Sequence, residues 1–367
     1  MIKTTTAPIT PATLAIAAAA CLPLAPAAMG QEIVALPPVD GFETPVNTYT
    51  SGDGMVAAAS YFSDAGVYVS FRWDSVEGLG PLLDAAGNAE NVRVGGLNDD
   101  GGVISGTTGF DVGTTERAVR WLDGPIAEQI SSLWAQDLVD VNGDGTVLAG
   151  RARFAGTVGN AFRWVEGQGL TDLGTLLGGF SRGLEISVDG RTIVGNESLG
   201  GTDSGRGFRW TPDEGLLDIG SLAGDNFAVA RSVSGDGAIV FGESWTVPPD
   251  RSAGRVNPFR WTEDVGAQPL DLLDGAIGGV VDGASFDGGV AVGTNFFPGD
   301  VAIAAVWTAD GVQSAADYFA DAGVDLTGWT LERVFDISYG GGVIAGRGEL
   351  DGQLRHFIAN LTGAFPL

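Results

Sequence analysis

Along most of the chain, hydrophobic and polar positions alternate with a period of two, which is typical of β-strands. Residues 186–195 show the pattern, because an Ile-Ser-Val run precedes Asp-Gly and a Thr-Ile-Val-Gly run follows it. Asp-Gly between two such runs predicts a tight two-residue β-hairpin whose glycine takes a positive φ. Residues 161–164 and 170–173 have the pattern of a third and a fourth strand.

This unit recurs seven times. Each copy contains Asp-Gly or a variant of it, and a motif that reads Phe-Arg-Trp in its clearest copies follows each turn in the same phase. The last glycines of successive turns are 44 to 53 residues apart. The turns lie at 51–54, 98–101, 142–145, 187–190, 234–237, 285–288 and 338–341. Four short strands in a repeat of this length predict the blade of a β-propeller.

The two ends of the sequence predict how the propeller closes. The last unit shows only three strands, whereas an extra strand at 32–36 precedes the first turn. We therefore predict an all-β fold, a seven-bladed β-propeller of four-stranded blades, closed by an N-terminal strand that completes the last blade. A β-solenoid, which uses shorter and more uniform coils, is the alternative.

Four motifs recur in the clearest copies: Ala161-Phe-Arg-Trp164, Asp172-Leu-Gly-Thr-Leu176, Ile186-Ser-Val-Asp-Gly190 and Ile193-Val-Gly195. With these motifs the chain resembles the bacterial extracellular HAF repeat family, and the resemblance covers essentially all of the sequence after residue 30. It implies export and a propeller-like repeat fold, and it implies no particular reaction.

Residues 1–30 have the pattern of a secretory signal peptide. Lys3 supplies the positive start, residues 9–24 form an Ala/Leu-rich stretch, and Ala28 stands at the −3 position of a cleavage after Gly30. A lipoprotein cleaved before Cys21 is the alternative. We predict a signal peptide at 1–30, a single propeller at 31–367 without a transmembrane segment, and a secreted, extracellular or periplasmic location.

Charge narrows the range of partners. The 46 acidic residues against 19 basic ones give a formal net charge of −27. Such a field repels phosphate backbones and favours cations, basic partners and solubility. We therefore expect no nucleic-acid partner. A glycan or a protein is the ligand that we expect from the loops considered below, and the sequence does not predict the oligomeric state.

Candidate catalytic groups are few. The single histidine, His356, lies in a strand of the last unit, where we expect it to be packed, and the single cysteine lies in the signal. No phosphate-binding Gly-Lys-Ser/Thr loop accompanies them. We predict a non-catalytic binding or scaffold module with no catalytic residues. A carbohydrate-active enzyme with paired carboxylates near the central axis and a passive structural surface protein are the alternatives.

The loops between second and third strands vary most in length, which is typical of binding loops. They are predicted to lie on the face opposite the Asp-Gly hairpins. Their candidate ligand-binding residues are Phe110, Trp245, Arg251, Phe296 and Phe297. Packing of the aromatic rings against a neighbouring blade is the alternative.

One turn also resembles a metal loop. Asp140, Asn142 and Asp144 match the first half of a calcium loop, but Arg151 stands where such a loop has a bidentate Glu. We therefore predict a structural turn without a cofactor, and calcium bound by these three residues is the alternative.

Overall fold

The computed structural model describes residues 31–42, 44–63, 66–109, 116–198, 205–246 and 256–362, with the backbone alone for 136–138. In chain order the first fourteen strands are β1 (Glu32–Ala35), β2 (Thr44–Thr50), β3 (Val56–Phe62), β4 (Tyr68–Asp74), β5 (Gly78–Leu82), β6 (Val92–Leu97), β7 (Val103–Thr108), β8 (Arg117–Leu122), β9 (Glu128–Gln129), β10 (Ala135–Val141), β11 (Val147–Ala152), β12 (Asn160–Val165), β13 (Gly169–Asp172) and β14 (Phe180–Ile186).

The second half of the chain adds one helix, α1 (Ala315–Asp321). The remaining strands are β15 (Ile193–Ser198), β16 (Gly205–Thr211), β17 (Gly215–Gly220), β18 (Phe227–Val233), β19 (Val240–Trp245), β20 (Asn257–Thr262), β21 (Gly266–Pro269), β22 (Gly278–Ala284), β23 (Ala291–Phe297), β24 (Val301–Thr308), β25 (Gly311–Ser314), β26 (Trp329–Ile337), β27 (Val343–Leu350) and β28 (Gln353–Asn360).

Strand pairing divides the described strands into sheets of four. Five sheets are separate, and the sixth has eight strands because its halves, β14–β17 and β18–β21, are joined by a single parallel bridge between Gly205 and Phe227. Counted by halves, the described strands form seven groups, and we interpret each group as one blade. The prediction of an all-β propeller is confirmed, and the blade count stays our interpretation of this grouping.

The N-terminal strand belongs to the last group. β1 pairs antiparallel with β28, from Glu32 opposite Asn360 to Ala35 opposite Phe357, and gives the order β26-β27-β28-β1. Leu36 extends this pairing by donating its N–H to the His356 carbonyl at 2.9 Å. The strand predicted at the front of the chain thus completes the sheet at its end.

Hydrophobic clusters lie between neighbouring sheets. One cluster packs Ala149 and Ala161 of the β10–β13 sheet against Ile186 and Phe208 of the next sheet. The second strands are buried almost continuously, as in β11, because both faces of such a strand are covered. The aromatic residues of the Phe-Arg-Trp motif, such as Phe162, lie in this core.

The Asp-Gly turns are wider than the predicted two-residue hairpins, so that prediction was wrong. Five residues separate β2 from β3, and the Gly54 N–H donates to the Ser51 carbonyl at 3.1 Å. This is the pattern of a type I turn with Ser or Asn first and Gly fourth. The expected positive φ is present, at 74° for Gly54 and at 65–77° for the last glycine of the other six turns.

Helix α1 joins β25 to β26. The Ser314 hydroxyl accepts a hydrogen bond from the Asp317 N–H at 3.1 Å and caps the helix, because Ser is a favoured N-cap residue. No helix in the described ranges is long and apolar enough to cross a membrane.

Candidate binding site on the propeller axis

The first strand of every group contributes to one cavity of about 310 Å³. Because all seven first strands meet around it, this space lies on the axis of the propeller, and we call it the axial cavity. Its wall includes one residue from each first strand: Tyr49, Gly95, Asp140, Glu185, Arg231, Asp282 and Asp336.

β-Bulges turn several of these residues toward the axis. The pairing register shifts by one residue at Leu184, Arg231 and Asp282, and all three line the axial cavity. A bulge inserts one extra residue and re-aims its side chain, so it breaks the simple alternation of the strand. The first strand of each group, which we also call the inner strand, therefore directs toward the axis a different set of side chains from the set that strict alternation predicts.

Three carboxylates on the wall are each held by a neighbouring inner strand. Asp140 accepts a hydrogen bond from the Ile186 N–H at 3.0 Å, and Asp336 accepts one from the Thr50 N–H at 2.8 Å. Glu185 accepts from the Ser232 hydroxyl at 3.2 Å. These bonds link successive inner strands, so the acidic side chains are fixed in place around the axis.

Gly96 makes room for one of these acids. It occupies in β6 the same position, next to last in the strand, that Asp140 occupies in β10. A Cβ atom on Gly96 would lie 2.2 Å from Asp140 Oδ1, which is far inside van der Waals contact. The glycine therefore lets a carboxylate take the space between two inner strands.

Burial sets the protonation of the acids. It raises the pKa of Asp140 to about 7, against which the Val141 and Ile186 N–H groups act. Burial also raises the pKa of Asp336 to about 6, and it raises that of Glu185 well above its usual value, with the Asp140 charge adding to the effect. The axial cavity thus holds carboxyl groups that take up and lose protons near neutral pH.

Arg231 is already paired. Its Nε donates to Glu243 Oε2 at 2.8 Å, its second nitrogen contacts Glu243 Oε1, and Asp282 Oδ1 lies 3.9 Å from Nε. Burial alone would lower the pKa of Arg231, but the Glu243 carboxylate outweighs it and raises that pKa. Burial raises the pKa of Asp282 to about 6 although Arg231 opposes this.

The predicted aromatic binding residues Trp245, Phe296 and Phe297 lie outside the wall of the axial cavity. They lie at the ends of second strands and not in the loops that follow those strands. Trp245 is the last residue of β19, and its half-buried indole stacks on Phe227 with ring centroids 4.4 Å apart and an interplanar angle of 22°. Phe296 and Phe297 end β23 and are also half-buried. The Arg333 guanidinium carbon lies 5.7 Å from the centre of the Phe296 ring.

These three aromatic residues lie at the same end of adjacent groups, opposite the Asp-Gly turns, as predicted. The structure separates them from the carboxylates of the axial cavity, whose wall does not include them. Phe110 and Arg251, the other two predicted ligand-binding residues, lie outside the described residues.

Asp140, Asn142 and Asp144, the three residues that could form a calcium loop at the third turn, do not point their oxygens to a common position. Asp140 Oδ2 accepts from Ile186 on the next inner strand, whereas Asn142 donates to Asp144 Oδ1 at 2.9 Å. Asp144 also accepts from the Thr146 N–H at 3.0 Å and fixes the turn. Within the described ranges, no three His, Cys, Asp or Glu side chains lie close enough to hold a metal ion.

His356 is packed where β28 meets the first sheet. Its ring is fully buried, Nδ1 hydrogen-bonds the Thr48 hydroxyl, and Nε2 lies 3.3 Å from the Ser60 carbonyl oxygen. Burial lowers the pKa of His356 to about 3, so the ring is neutral at pH 7. The histidine thus joins the last sheet to the first one and lies outside the axial cavity wall.

No protein-family model matches the chain, and no curated protein matches it. Solved structures share the fold. The β-propeller domain of the trilobed protease from Pyrococcus furiosus is 11% identical, with a TM-score of 0.57 over 88% of this chain and 96% of that chain. Oligogalacturonate lyase from Vibrio parahaemolyticus is 10% identical, with a TM-score of 0.57 over 91% of this chain and 94% of that chain.

A third match is partial. TolB from Acinetobacter baumannii is 15% identical with a TM-score of 0.45, and the match covers 62% of this chain and 55% of that chain. At these identities the similarity defines a class of fold, the β-propeller, and leaves the activity open.

Proposed function

We propose that the chain is an exported, non-catalytic binding propeller of the periplasm or the cell exterior, and that it takes a glycan or a protein at the end opposite the Asp-Gly turns. The observation that carries the proposal is the pair of half-buried aromatic platforms, Trp245 on Phe227 and Phe296 beside Arg333. Aromatic rings backed in this way offer rigid apolar area at little entropic cost. Membership of the HAF repeat family and a signal peptide at 1–30 remain part of this proposal.

The experiment is a glycan-array screen of the purified protein, first with calcium and then with EDTA. We expect a glycan to bind in both conditions and binding to be lost when Trp245, Phe296 and Phe297 are all replaced by Ala. Phe286→Ala is the matched control, because this ring is 49% exposed and lies at the opposite end, within the Asp-Gly turn at 285–288.

The outcomes separate the alternatives. A blank array with a folded protein would contradict a glycan ligand and leave a protein partner or a passive structural role. Binding that is lost in EDTA would favour calcium at Asp140, Asn142 and Asp144. A melting temperature that falls in the triple variant would show that the three rings serve packing instead of binding.

A carbohydrate-active enzyme is the second candidate. The observation in its favour is that Glu185 and Asp336 face the same cavity and that burial raises the pKa of both carboxyl groups. A glycosidase needs a carboxylic acid with a raised pKa and a second carboxyl group that acts with it. Turnover of a polysaccharide that disappears in Glu185→Gln would support this candidate.

A further inference from the structure

The wall of the axial cavity is rich in hydrogen-bond acceptors. Asp140, Glu185 and Asp336 each accept a hydrogen bond from a neighbouring first strand, and the backbone N–H groups of Val141, Val233 and Ile337 also hydrogen-bond to them. An ionised carboxylate can accept about four hydrogen bonds, so the protein uses only part of this capacity. A ligand that fits this wall has to bring donors.

Asn47 points to the same chemistry independently. This side chain lines the cavity and is only 8% exposed. Its Nδ2 donates to the Val94 carbonyl at 3.0 Å, which fixes the orientation of the amide, and its buried Oδ1 has no hydrogen-bond partner. A buried acceptor without a donor is destabilising, so a donor supplied by a ligand would satisfy it.

Acidic side chains outnumber basic ones on the wall of the axial cavity. Five acids line it, namely Asp99, Asp140, Glu185, Asp282 and Asp336, against two arginines, Arg93 and Arg231. Arg231 is bound by Glu243, a further acid behind the wall. An anionic ligand would meet this field at close range, whereas a cation would be attracted to it.

A single metal ion does not match this arrangement. Calcium requires six to eight oxygens at about 2.3–2.6 Å, and no three acidic, His or Cys side chains of the described ranges come close enough together to hold a metal. A larger cation with several N–H donors can reach carboxylates that are spread around the axis. The volume of about 310 Å³ lies at the lower end of small-molecule sites.

We propose that the axial cavity binds a small organic cation that carries primary ammonium groups, with Asp140, Glu185 and Asp336 accepting its hydrogen bonds and Asn47 Oδ1 completing the site. This inference goes beyond the proposed function, because it concerns a different site and a different class of ligand. The ammonium group belongs either to a free amine or to the side chain of a lysine.

Binding is coupled to protons. Burial raises the pKa of Asp140 to about 7, so the empty site holds this proton in part at neutral pH. A bound cation favours the ionised carboxylate, so binding releases protons and strengthens as the pH rises from about 5 to about 8. The binding heat then depends on the ionisation enthalpy of the buffer.

The test is isothermal titration calorimetry of the protein with 1,5-diaminopentane. We expect saturable binding and at least about a tenfold loss of affinity in Asp140→Asn and in Asp336→Asn, since each loses one charged hydrogen bond. Glu185→Gln is a further variant should one of these fail to fold. Asp213→Asn is the matched control, because its side chain is 78% exposed on the surface, and we expect unchanged affinity.

The outcomes show whether the axial cavity binds an ammonium group and whether that group comes from a free amine or from a lysine side chain. Tighter binding of Nα-acetyl-lysine amide than of the diamine would support the same ammonium site with a protein side chain as its source. No binding heat up to about 10 mM diamine would overturn the proposal. So would equal affinities in the axial variants and wild type, or tighter binding of calcium chloride than of the diamine. Loss of glycan binding in the Trp245 variant leaves the diamine result untouched, so the two proposals fail separately.

Discussion

Asp140 and Asp144 lie four residues apart and have opposite environments. Asp140 faces the axial cavity, where burial raises its pKa to about 7. Asp144 lies in the turn, where hydrogen bonds from Thr146 lower its pKa. The turn uses its carboxylate to satisfy local donors, and six of the seven turns repeat this arrangement. The axis leaves its acids with capacity for something else.

The turns and the axial cavity also differ in how far their residues are repeated among the seven groups. The turn begins with Ser or Asn in every group, whereas the residues that line the axial cavity vary among the first strands. One lining residue from each first strand gives the set Tyr49, Gly95, Asp140, Glu185, Arg231, Asp282 and Asp336. Positions that must build each blade are repeated, and positions that face the common space are free to diverge.

The largest expected effect comes from breaking a turn. Gly190→Ala should lower the free energy of unfolding by about 3 kcal/mol, because a positive φ and a crowded Cβ both oppose the side chain. Gly190 has φ +68, and its Cβ would lie 2.8 Å from Val147 Cγ2. Denaturant unfolding measures the change.

The matched control for this turn is Gly167→Ala. Gly167 has φ +73 but no atom within 4 Å of its Cβ, so the loss should be about 1 kcal/mol. Equal losses in the two variants would show that the turn glycine matters only for its φ and that contact with the neighbouring sheet adds nothing.

The second effect concerns the axis. Asp140→Asn should leave the stability unchanged near pH 4 and raise it by about 1–2 kcal/mol near pH 8. The pKa of Asp140 is raised to about 7, so the protonated acid stabilises the fold at low pH and this contribution is lost as the pH rises through about 7. The neutral amide does not titrate and can still accept from Ile186.

Denaturant unfolding across this pH range checks the slope. Should Asp140→Asn shift the stability equally at pH 4 and pH 8, the carboxyl group would not be held protonated by burial, and the contrast with the turn would disappear.

The smallest expected effect on stability is that of Asp144 in the turn, whose pKa is shifted in the opposite direction from that of Asp140. Asp144→Asn should lower the stability by less than about 1 kcal/mol near pH 7, since its carboxylate is largely solvated. The lowered pKa means that the ionised form stabilises the fold above its unfolded pKa and that this contribution is lost as the pH falls below about 4. The variant and the wild type should therefore converge at low pH, and a difference that grows there would contradict this account.

The sequence predicted those features of the fold that recur in every repeat. Period-two alternation and the spaced turns predicted the all-β propeller and the place of the N-terminal strand, because these features recur in seven copies. It predicted the turn itself less well, since Ser51 and its equivalents close a wider loop than Asp-Gly alone suggests.

The axial acids were largely missed for the same reason. Asp140 stood out only through its match to a calcium loop, and Glu185 and Asp336 were not singled out as partners of it. No motif marks them, because a tyrosine, a glycine or a serine fills the equivalent position, next to last in the first strand, in the other groups. Bulges at Arg231 and Asp282 also break the alternation from which a facing direction is deduced. The usable signal was departure from the repeat at one fixed position.

The pairing of β1 with β28 has a consequence for the order of assembly. Most pairings join strands that are close neighbours in the chain, so these sheets can form while later residues are still being made. β1 is synthesised before every other described strand, yet its partner is the last one. Its contacts therefore have the longest sequence separation among the described strand pairings, which slows the step that makes them. Until β28 has been synthesised up to residue 360, β1 has no partner strand. The edge of the last sheet stays open during that time and is available to pair with other chains.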